Sequence, residues 1–216
     1  KHEQAVSGGA HEKGGNEYMG KLTFKGGIHP YEGKELAKNQ PVEKYLPKGD
    51  MAYLMSQHIG APSVPCVKKG DQVLAGQKIA DAGGFVSVPQ HASVSGTVKG
   101  IEKRLNATGA MVDAVIVDND QQYQEVEFTP ARLEDLSKEE ILNRIKEGGV
   151  VGMGGAGFPT HVKLAPKDPS KIEYVLVNGA ECEPYITSDY RRMLEEPEKV
   201  VEGLKVILKL FDSAKG

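Results

Sequence analysis

One glycine-dense stretch constrains this chain more than any other feature of its sequence. Residues 148–157 read Gly-Gly-Val-Val-Gly-Met-Gly-Gly-Ala-Gly, so six of these ten residues are glycine. Backbone amides without a neighbouring Cβ can approach a flat or anionic ligand, and glycine adopts the positive φ that a curled loop needs. The stretch is not a Walker loop, because no Gly-Lys-Ser/Thr follows, and it lacks the usual context of Gly-x-Gly-x-x-Gly. A tight helix–loop crossing without a ligand is the alternative interpretation.

The sequence on both sides of this stretch is typical of an α/β unit. Ser137 and Glu140 predict a capping box at the start of a short helix, and Gly148 suits the C′ position at its end. Pro159 suits the first turn of a following helix. An amphipathic helix is predicted near residues 197–211, with apolar residues spaced for one face.

A second loop completes the predicted pocket. Residues 172–177, Ile-Glu-Tyr-Val-Leu-Val, predict a buried parallel strand, and its end opens into Asn-Gly-Ala-Glu-Cys-Glu-Pro at residues 178–184. Ligands of open α/β sheets bind at the carboxyl ends of strands. A glycine loop followed by an acidic loop on one α/β unit therefore predicts a nucleotide or flavin pocket.

The first half of the chain has the pattern of a β domain. Between residues 21 and 126, short runs of β-branched residues alternate with Gly and Pro, and turns are predicted at residues 69–71 and 75–77. The pattern resembles the flattened barrel of biotinyl and lipoyl carrier domains. Those carriers expose a modified lysine in a hairpin, whereas the matching residues 81–90 contain no lysine. A docking or scaffold role is therefore favoured over a swinging arm.

Composition and charge argue against several classes of protein. The net charge of −3 gives no basic field for nucleic acid, and no apolar run approaches the roughly 20 residues of a membrane helix. The two cysteines form no Cys-x-x-Cys: Cys66 is expected in the barrel core and Cys182 as an apolar filler. His29 and His91 are expected to make structural hydrogen bonds. Residues 1–18, which include His2 and His11, are expected to form a disordered tail before Met19.

Several motifs together resemble the RnfC family, a subunit family of the Rnf complex, which is also called the electron transport complex. They are Gly-Ile-His-Pro at residues 27–30, His-Ala-Ser-Val-Ser-Gly at 91–96, Gly-Gly-Ala-Gly-Phe-Pro-Thr at 154–160 and the segment at 177–185. The second half also resembles the flavin and NADH subunit of respiratory complex I. There the loop reads Gly-Arg-Gly-Gly-Ala-Gly-Phe-Pro, whereas this chain has Met153 at the arginine position, and it has Ala180 in place of an aspartate.

The resemblance implies a multidomain α+β chain. A barrel-sandwich hybrid domain is expected at residues 19–128, and the first part of a Rossmann-like α/β domain that binds FMN and NADH is expected at 129–216. Because the sheet would need further strands, we expect the chain to be part of a longer protein. The family also carries two 4Fe-4S clusters, whose cysteines are absent from these 216 residues.

The resemblance implies an electron-transfer subunit of a membrane-bound, ion-translocating ferredoxin:NAD+ oxidoreductase, with FMN and NAD(H) as cofactors. Its partners would be other membrane and iron–sulfur Rnf subunits, and ferredoxin indirectly, on the cytoplasmic side of the cell membrane and without direct insertion. This chain alone is not expected to catalyse. The alternative is a non-catalytic barrel scaffold that links soluble and membrane subunits.

Eight residues are carried over to cofactor binding, and none to catalysis or to a metal. The residues expected to line FMN are Gly154, Gly155, Gly157, Lys163, Asn178 and Glu181. Phe158 and Glu183 are expected to face the nicotinamide nucleotide. The structural alternatives are a surface lysine at Lys163, a core ring at Phe158 and two solvated carboxylates at Glu181 and Glu183.

Overall fold

The first half of the protein folds into two antiparallel sheets. A computed structural model describes residues 30–216, and the strands in this range are β1 (Met51–Leu54), β2 (Val64–Pro65), β3 (Gln72–Val73), β4 (Lys78–Asp81), β5 (Gln90–His91), β6 (Gly96–Leu105) and β7 (Met111–Asn119). One sheet has the order β1-β7-β6-β3 and the other β2-β4-β5. The long β6–β7 hairpin runs in register from Gly96↔Asn119 to Leu105↔Met111, with a bulge between Val98 and Gly100.

The apolar core of this half lies between the sheets. Ile79, Val94, Val115 and Val117 are completely buried, and each such burial stabilises the fold by about 1.5–3 kcal/mol. The two predicted turns are confirmed, because Gly70 (φ 93°) and Gly76 (φ 83°) both have the left-handed backbone that glycine permits. The barrel expectation therefore agrees with the observed strands and core.

Four α-helices are described in the second half. They are α1 (Lys138–Glu147), α2 (Thr160–Lys163), α3 (Ser188–Glu195) and α4 (Pro197–Leu208). The capping box is confirmed: the Glu140 N–H donates to Ser137 Oγ at 3.2 Å, and the Ser137 N–H donates to Glu140 Oε2 at 2.7 Å. Gly148 is the C-cap of α1, and Gly149 has the positive φ. A smaller core around Ile141, Leu210 and Phe211 includes apolar residues of α1 and α4.

The predicted buried strand at residues 172–177 is wrong for the described structure. Tyr174 makes an isolated parallel bridge to Lys215, and Leu176 is 85% exposed. A parallel strand needs neighbours along its edges to satisfy its backbone, and residues 30–216 supply a single bridge there. Ile172 and Val175 nevertheless pack against the smaller core.

Two smaller expectations also changed, and one helix was not predicted. Cys66 is exposed rather than in the core, because it follows the short strand β2 at an edge of its sheet. Pro159 is the N-cap of α2 rather than a residue of its first turn, so the helix begins one residue later. Helix α3 was not predicted, although Tyr190, Met193 and Leu194 have the spacing of one helical face.

Some predictions fall outside the described residues. They are the tail at 1–18, the start at Met19 and the Gly-Ile-His part of the motif at 27–30. The domain boundaries at 19–128 and 129–216 stay a prediction. Among the described helices, none has the length and hydropathy to cross a membrane.

Candidate functional site

The glycine-dense stretch forms a loop at residues 152–158, named the glycine loop, that is closed at its base by main-chain hydrogen bonds. The Gly152 N–H donates to the Phe158 carbonyl at 2.9 Å, and the Thr160 N–H donates to the Val150 carbonyl at 3.0 Å. This pairing makes the short antiparallel bridge Val151↔Pro159 between the end of α1 and the start of α2. The loop thus begins and ends at a bridged pair of residues between the two helices.

Beyond Gly152, the backbone donors of this loop find no acceptor among the described residues. Within residues 30–216, the N–H groups of residues 153–158 donate to no protein acceptor. Gly154 and Gly155 face open space, since a Cβ at either position would have no atom within 4 Å. Met153 is 91% exposed. The loop therefore offers a run of unsatisfied donors that a ligand could approach without meeting side chains from the protein.

The barrel half holds this loop in place. The Ile59 N–H donates to the Ala156 carbonyl at 2.9 Å. Gly157 is buried with φ 65°, and a Cβ there would lie 2.9 Å from the Gln57 carbonyl oxygen and 3.0 Å from His58 Cα. Gly157 therefore has two separate reasons to be glycine, the left-handed backbone and the close approach of the barrel.

A cavity of about 520 Å³ lies where the glycine loop meets the barrel. Its lining combines uncharged residues of the barrel, the β6–β7 hairpin tip and the glycine loop: Leu54, Ser56, Gln57, His58, Ile59, Asn106, Ala107, Thr108, Gly155 and Ala156. Volumes between about 300 and 1,000 Å³ are usual for small-molecule sites. The cavity is therefore large enough to hold part of a small-molecule ligand.

The second predicted loop, residues 178–184, lies within a longer loop at residues 178–187 (the acidic loop), whose own polar groups supply some of its contacts. Asn178 Oδ1 accepts from the Ala180 N–H at 2.9 Å. The Glu181 carboxylate accepts from the Ser188 hydroxyl at 3.0 Å and from the Asp189 N–H at 2.9 Å, so it caps the first turn of α3. Asn178 and Glu181, both predicted flavin ligands, thus already make protein hydrogen bonds.

The environment of Glu181 favours its charged form. Partial burial acts to raise the pKa of this carboxyl, but the donors at the start of α3 act in the other direction and prevail, so the pKa lies below its ordinary value of 4.5. In contrast, the Glu183 carboxylate has no hydrogen-bond donor or ion-pair partner among the described residues. Glu183 is therefore the carboxylate of this loop that remains available to a ligand.

The structure places the eight predicted site residues at three locations. Gly154, Gly155, Gly157 and Phe158 lie on the glycine loop, with Phe158 41% exposed. Lys163 is the exposed last residue of α2. Asn178, Glu181 and Glu183 lie on the acidic loop, and Glu181 lines a different cavity of about 470 Å³. The two loops therefore line separate cavities.

Two histidines lie near the base of the glycine loop. Burial lowers the pKa of His161 below its usual value of 6.5, and the charge of Lys146 acts in the same direction. Burial also lowers the pKa of His91, whose ring contacts the Gly149 backbone region. Among residues 30–216, no group of three potential metal-ligating side chains is found.

Sequence reasoning missed the residues that hold the two loops. Ile59, Gln57 and His58 contact the glycine loop from the barrel, and the Lys34 ammonium donates to carbonyls of the acidic loop. These residues carry no local motif. Their contacts join positions about 100 to 150 residues apart, so no spacing pattern within one element could have revealed them.

Models of known protein families match both halves of the chain. A family model described as the RnfC barrel sandwich hybrid domain matches residues 22–122, and a model described as the Nuo51 FMN-binding domain matches residues 145–216. These matches define the class, a chain that joins a barrel-sandwich hybrid domain to an FMN-binding domain. The expected fold class is confirmed.

Curated relatives are similar to nearly the whole of this chain. The C subunit of the Na(+)-translocating ferredoxin:NAD(+) oxidoreductase complex of Acetobacterium woodii is 46% identical over 197 residues, 90% of this chain and 44% of that protein. The C subunit of the proton-translocating ferredoxin:NAD(+) oxidoreductase complex of Clostridium ljungdahlii is 43% identical over 89% of this chain and 43% of that protein. The C subunit of the ion-translocating oxidoreductase complex of Haemophilus influenzae strain PittEE is 37% identical over 87% and 29%.

The chain spans less than half the length of these relatives. Its two matched domains follow one another along the chain, and the similarity to these relatives covers nearly all of it. The chain is thus similar to RnfC subunits along nearly all of its length, in agreement with the resemblance of its motifs.

Proposed function

We propose that this chain is the FMN- and NAD(H)-binding part of an electron-transfer subunit of an ion-translocating ferredoxin:NAD+ oxidoreductase. The observation that carries the proposal is the run of N–H groups at residues 153–158 that have no protein acceptor within residues 30–216. The match to an FMN-binding domain and the names of the relatives support it.

The residues of the glycine loop fit a flavin. Gly154 and Gly155 leave space that a Cβ would enter, and the adjoining cavity of about 520 Å³ has an uncharged lining. Lys163, exposed one helix later, would supply a positive charge for a phosphate or for the N1/O2 edge of the ring. FMN, when bound, supplies two-electron exchange with a nicotinamide nucleotide and one-electron release to iron–sulfur clusters.

The nicotinamide nucleotide is assigned to two residues that are not assigned to FMN, Phe158 and Glu183. Phe158 is exposed enough to stack on a ring, and the Glu183 carboxylate can accept from ribose hydroxyl groups, as acidic residues do in other nucleotide sites. No general acid or base is required of this chain, since its residues bind and orient. Asn178 and Glu181 would contribute by shaping the acidic loop that they stabilise.

The proposal also includes the partners and the location of the protein. The partners are the other membrane and iron–sulfur subunits of an Rnf complex, with ferredoxin reached indirectly, and the location is the cytoplasmic face of the cell membrane. The clusters and the remaining strands of the sheet would come from the part of the protein that follows these domains in the relatives. The names of those relatives support this assembly.

A glycine replacement tests the proposal in the full-length protein. Gly155→Val puts a side chain into the space assigned to the flavin, and we expect FMN affinity to fall at least about 100-fold, as the loss of a close ring contact would require. Gly49→Val is the matched control, because a Cβ at Gly49 also meets nothing within 4 Å. FMN titration followed by quenching of flavin fluorescence gives both affinities.

The FMN titration has three outcomes that distinguish the possible functions. Loss of FMN in Gly155→Val with normal FMN content in Gly49→Val supports the loop as the flavin site. Normal FMN content in both variants contradicts it. If the wild-type full-length protein binds no FMN, the scaffold function of the barrel replaces the proposed one.

A further inference from the structure

Residues 31–38, named the strap, precede the barrel in sequence but contact the acidic loop and α3. The strap contains a short 3-10 helix at Lys34–Leu36. The Tyr185 N–H donates to the Glu32 carbonyl at 2.6 Å, and the Arg191 guanidinium donates to the Lys38 carbonyl at 3.1 Å. The strap is therefore joined at both ends to residues about 150 positions later in the chain.

The part of the acidic loop that it contacts is a turn at residues 183–186. Pro184 occupies the second position, and Tyr185 occupies the third with φ 67°. This arrangement is typical of a type II turn, whose third residue is usually glycine because its φ is positive. A tyrosine in this conformation is strained and persists only where its surroundings hold it.

The strap supplies that support for Tyr185. The Tyr185 ring packs edge-on against Tyr31, with ring centroids 6.2 Å apart and planes at 73°. Gly33 is buried with φ 60°, and a Cβ there would overlap two atoms of the Tyr185 ring. The strap thus leaves room for this ring by having no side chain at Gly33.

The Lys34 ammonium closes the turn. Its Nζ donates to the Glu183 carbonyl at 3.0 Å and to the Ile186 carbonyl at 2.8 Å, the first and last residues of the turn. Lys34 is half-buried, and hydrogen bonds from a charged donor are stronger than neutral ones. One side chain therefore fixes both ends of the turn that begins at Glu183.

The same turn determines where the Glu183 carboxylate lies. Glu181 is engaged at the first turn of α3, whereas the Glu183 carboxylate has no partner among residues 30–216. Since the Glu183 carbonyl accepts from Lys34, rotation of this residue's backbone would break that hydrogen bond. The direction of the Glu183 side chain is thus coupled to Lys34.

We propose that Lys34 is a positioning residue for nicotinamide nucleotide binding: through the strap it holds the 183–186 turn so that Glu183 presents its carboxylate to the nucleotide. The identity of the ligand rests on the proposed function. The hold of Lys34 on the turn rests only on the contacts described above.

Three variants of the full-length protein test this inference. Lys34→Met removes the donors but keeps most of the apolar stem, and Lys34→Arg keeps charged donors. Lys38→Met is the matched control, because Lys38 lines the same cavity but its ammonium has no hydrogen bond or ion pair among the described residues. The measurements are hydrogen exchange of residues 183–190 without nucleotide, FMN content, and KM and kcat for NADH with ferricyanide as acceptor.

In Lys34→Met we expect exchange of residues 185–187 to rise about fivefold or more, the consequence of losing two charge-assisted hydrogen bonds. We expect KM for NADH to rise about tenfold, with kcat within about twofold and FMN content unchanged, since binding rather than chemistry is affected. Lys38→Met should match the wild type, and Lys34→Arg should recover at least part of the KM.

Other results overturn the inference. If exchange in Lys34→Met equals that in Lys38→Met, Lys34 does not hold the turn. If exchange rises but KM does not, the turn does not position the nucleotide. If the wild-type protein itself neither binds FMN nor oxidises NADH, the proposed function fails and the nucleotide role fails with it, while the exchange data alone decide whether Lys34 holds the turn.

Discussion

The glycine loop is held by main-chain contacts, whereas the acidic loop is held largely by charged side chains, with one main-chain hydrogen bond from Tyr185 to Glu32. At the glycine loop, the barrel reaches Ala156 through the Ile59 N–H and packs its backbone against Gly157. At the acidic loop, the Lys34 ammonium and the Glu181 carboxylate supply the principal contacts. Both loops therefore depend on residues outside the loop itself, but through different chemistry.

The difference determines how each loop should respond to change. Main-chain contacts at van der Waals distance tolerate no added volume but do not depend on ionisation. Contacts through Lys34 and Glu181 tolerate changes of shape better, but they require both groups to stay charged. The glycine loop should therefore respond to side-chain size, and the acidic loop to charge and pH.

The largest expected effect is at Gly157. We expect Gly157→Val to lower the free energy of unfolding by about 3 kcal/mol, because a β-branched residue is strained at φ 65° and its Cβ would lie 2.9 Å from the Gln57 carbonyl. Urea denaturation of the full-length protein measures the change. Gly49→Val should cost less than about 0.5 kcal/mol. Equal costs would mean that the barrel does not fix the glycine loop.

A smaller effect is expected from Glu181. In Glu181→Ala we expect hydrogen exchange at Asp189 and Tyr190 to accelerate roughly three- to tenfold, because the first turn of α3 loses its acceptor. Glu183→Ala, in the same loop, is the control and should leave α3 unchanged. Protection that survives in Glu181→Ala would show that α3 does not need this cap.

The same carboxylate predicts a pH dependence. Because the pKa of Glu181 in the folded protein lies below its ordinary value of 4.5, its stabilising contribution is complete above that value and is lost as the pH falls through the lowered pKa. We expect α3 protection, but not that of the glycine loop base, to decline in this acidic range. Exchange measured from pH 6 to about pH 3 in wild type and Glu181→Ala checks this, and parallel curves for the two proteins would contradict it.

The smallest effect is expected from the ion pair between the barrel and α1. Lys78 Nζ lies 2.8 Å from Asp81 and 3.3 Å from Glu147, and the hydrogen bond to Asp81 is the main reason that the pKa of Lys78 is raised. All three side chains are substantially exposed, so Lys78→Met should change stability by less than about 1 kcal/mol. The control is Lys99→Met, which removes an ion pair within the barrel. A larger loss of stability in Lys78→Met than in Lys99→Met would show that electrostatic attraction contributes to the contact between the barrel and α1.

The sequence predicted those parts of the fold that depend on neighbouring residues. The capping box at Ser137 and the glycine turns at Gly70 and Gly76 are set by contacts within a few positions, and all were found. The strand at residues 172–177 was not, because an apolar run shows only that a segment suits a sheet, not that neighbouring strands are present. The same limit applies to α3, whose first turn depends on Glu181, outside the helix.

In the candidate site, too, the residues of local motifs were predicted and the residues that act through distant contacts were missed. The glycine loop was predicted from local density, and the glycines at 154, 155 and 157 were assigned from the family resemblance. The structure gives Gly157 a different task from its neighbours by packing it against the barrel. Lys34 and Ile59 were missed, since nothing in their local sequence distinguishes them. Only the three-dimensional contact gives them a role.

The position of Lys34 also has a consequence for biosynthesis. Its partner Glu183 lies 149 residues later, so at 5–20 residues per second a ribosome would make the two about 7 to 30 s apart. The pairing of β1 with β7, from Met51↔Val117 to Leu54↔Ala114, needs only the intervening chain. The barrel can therefore complete its pairing while the strap still lacks its partner, which makes closure of the 183–186 turn a late step of co-translational folding.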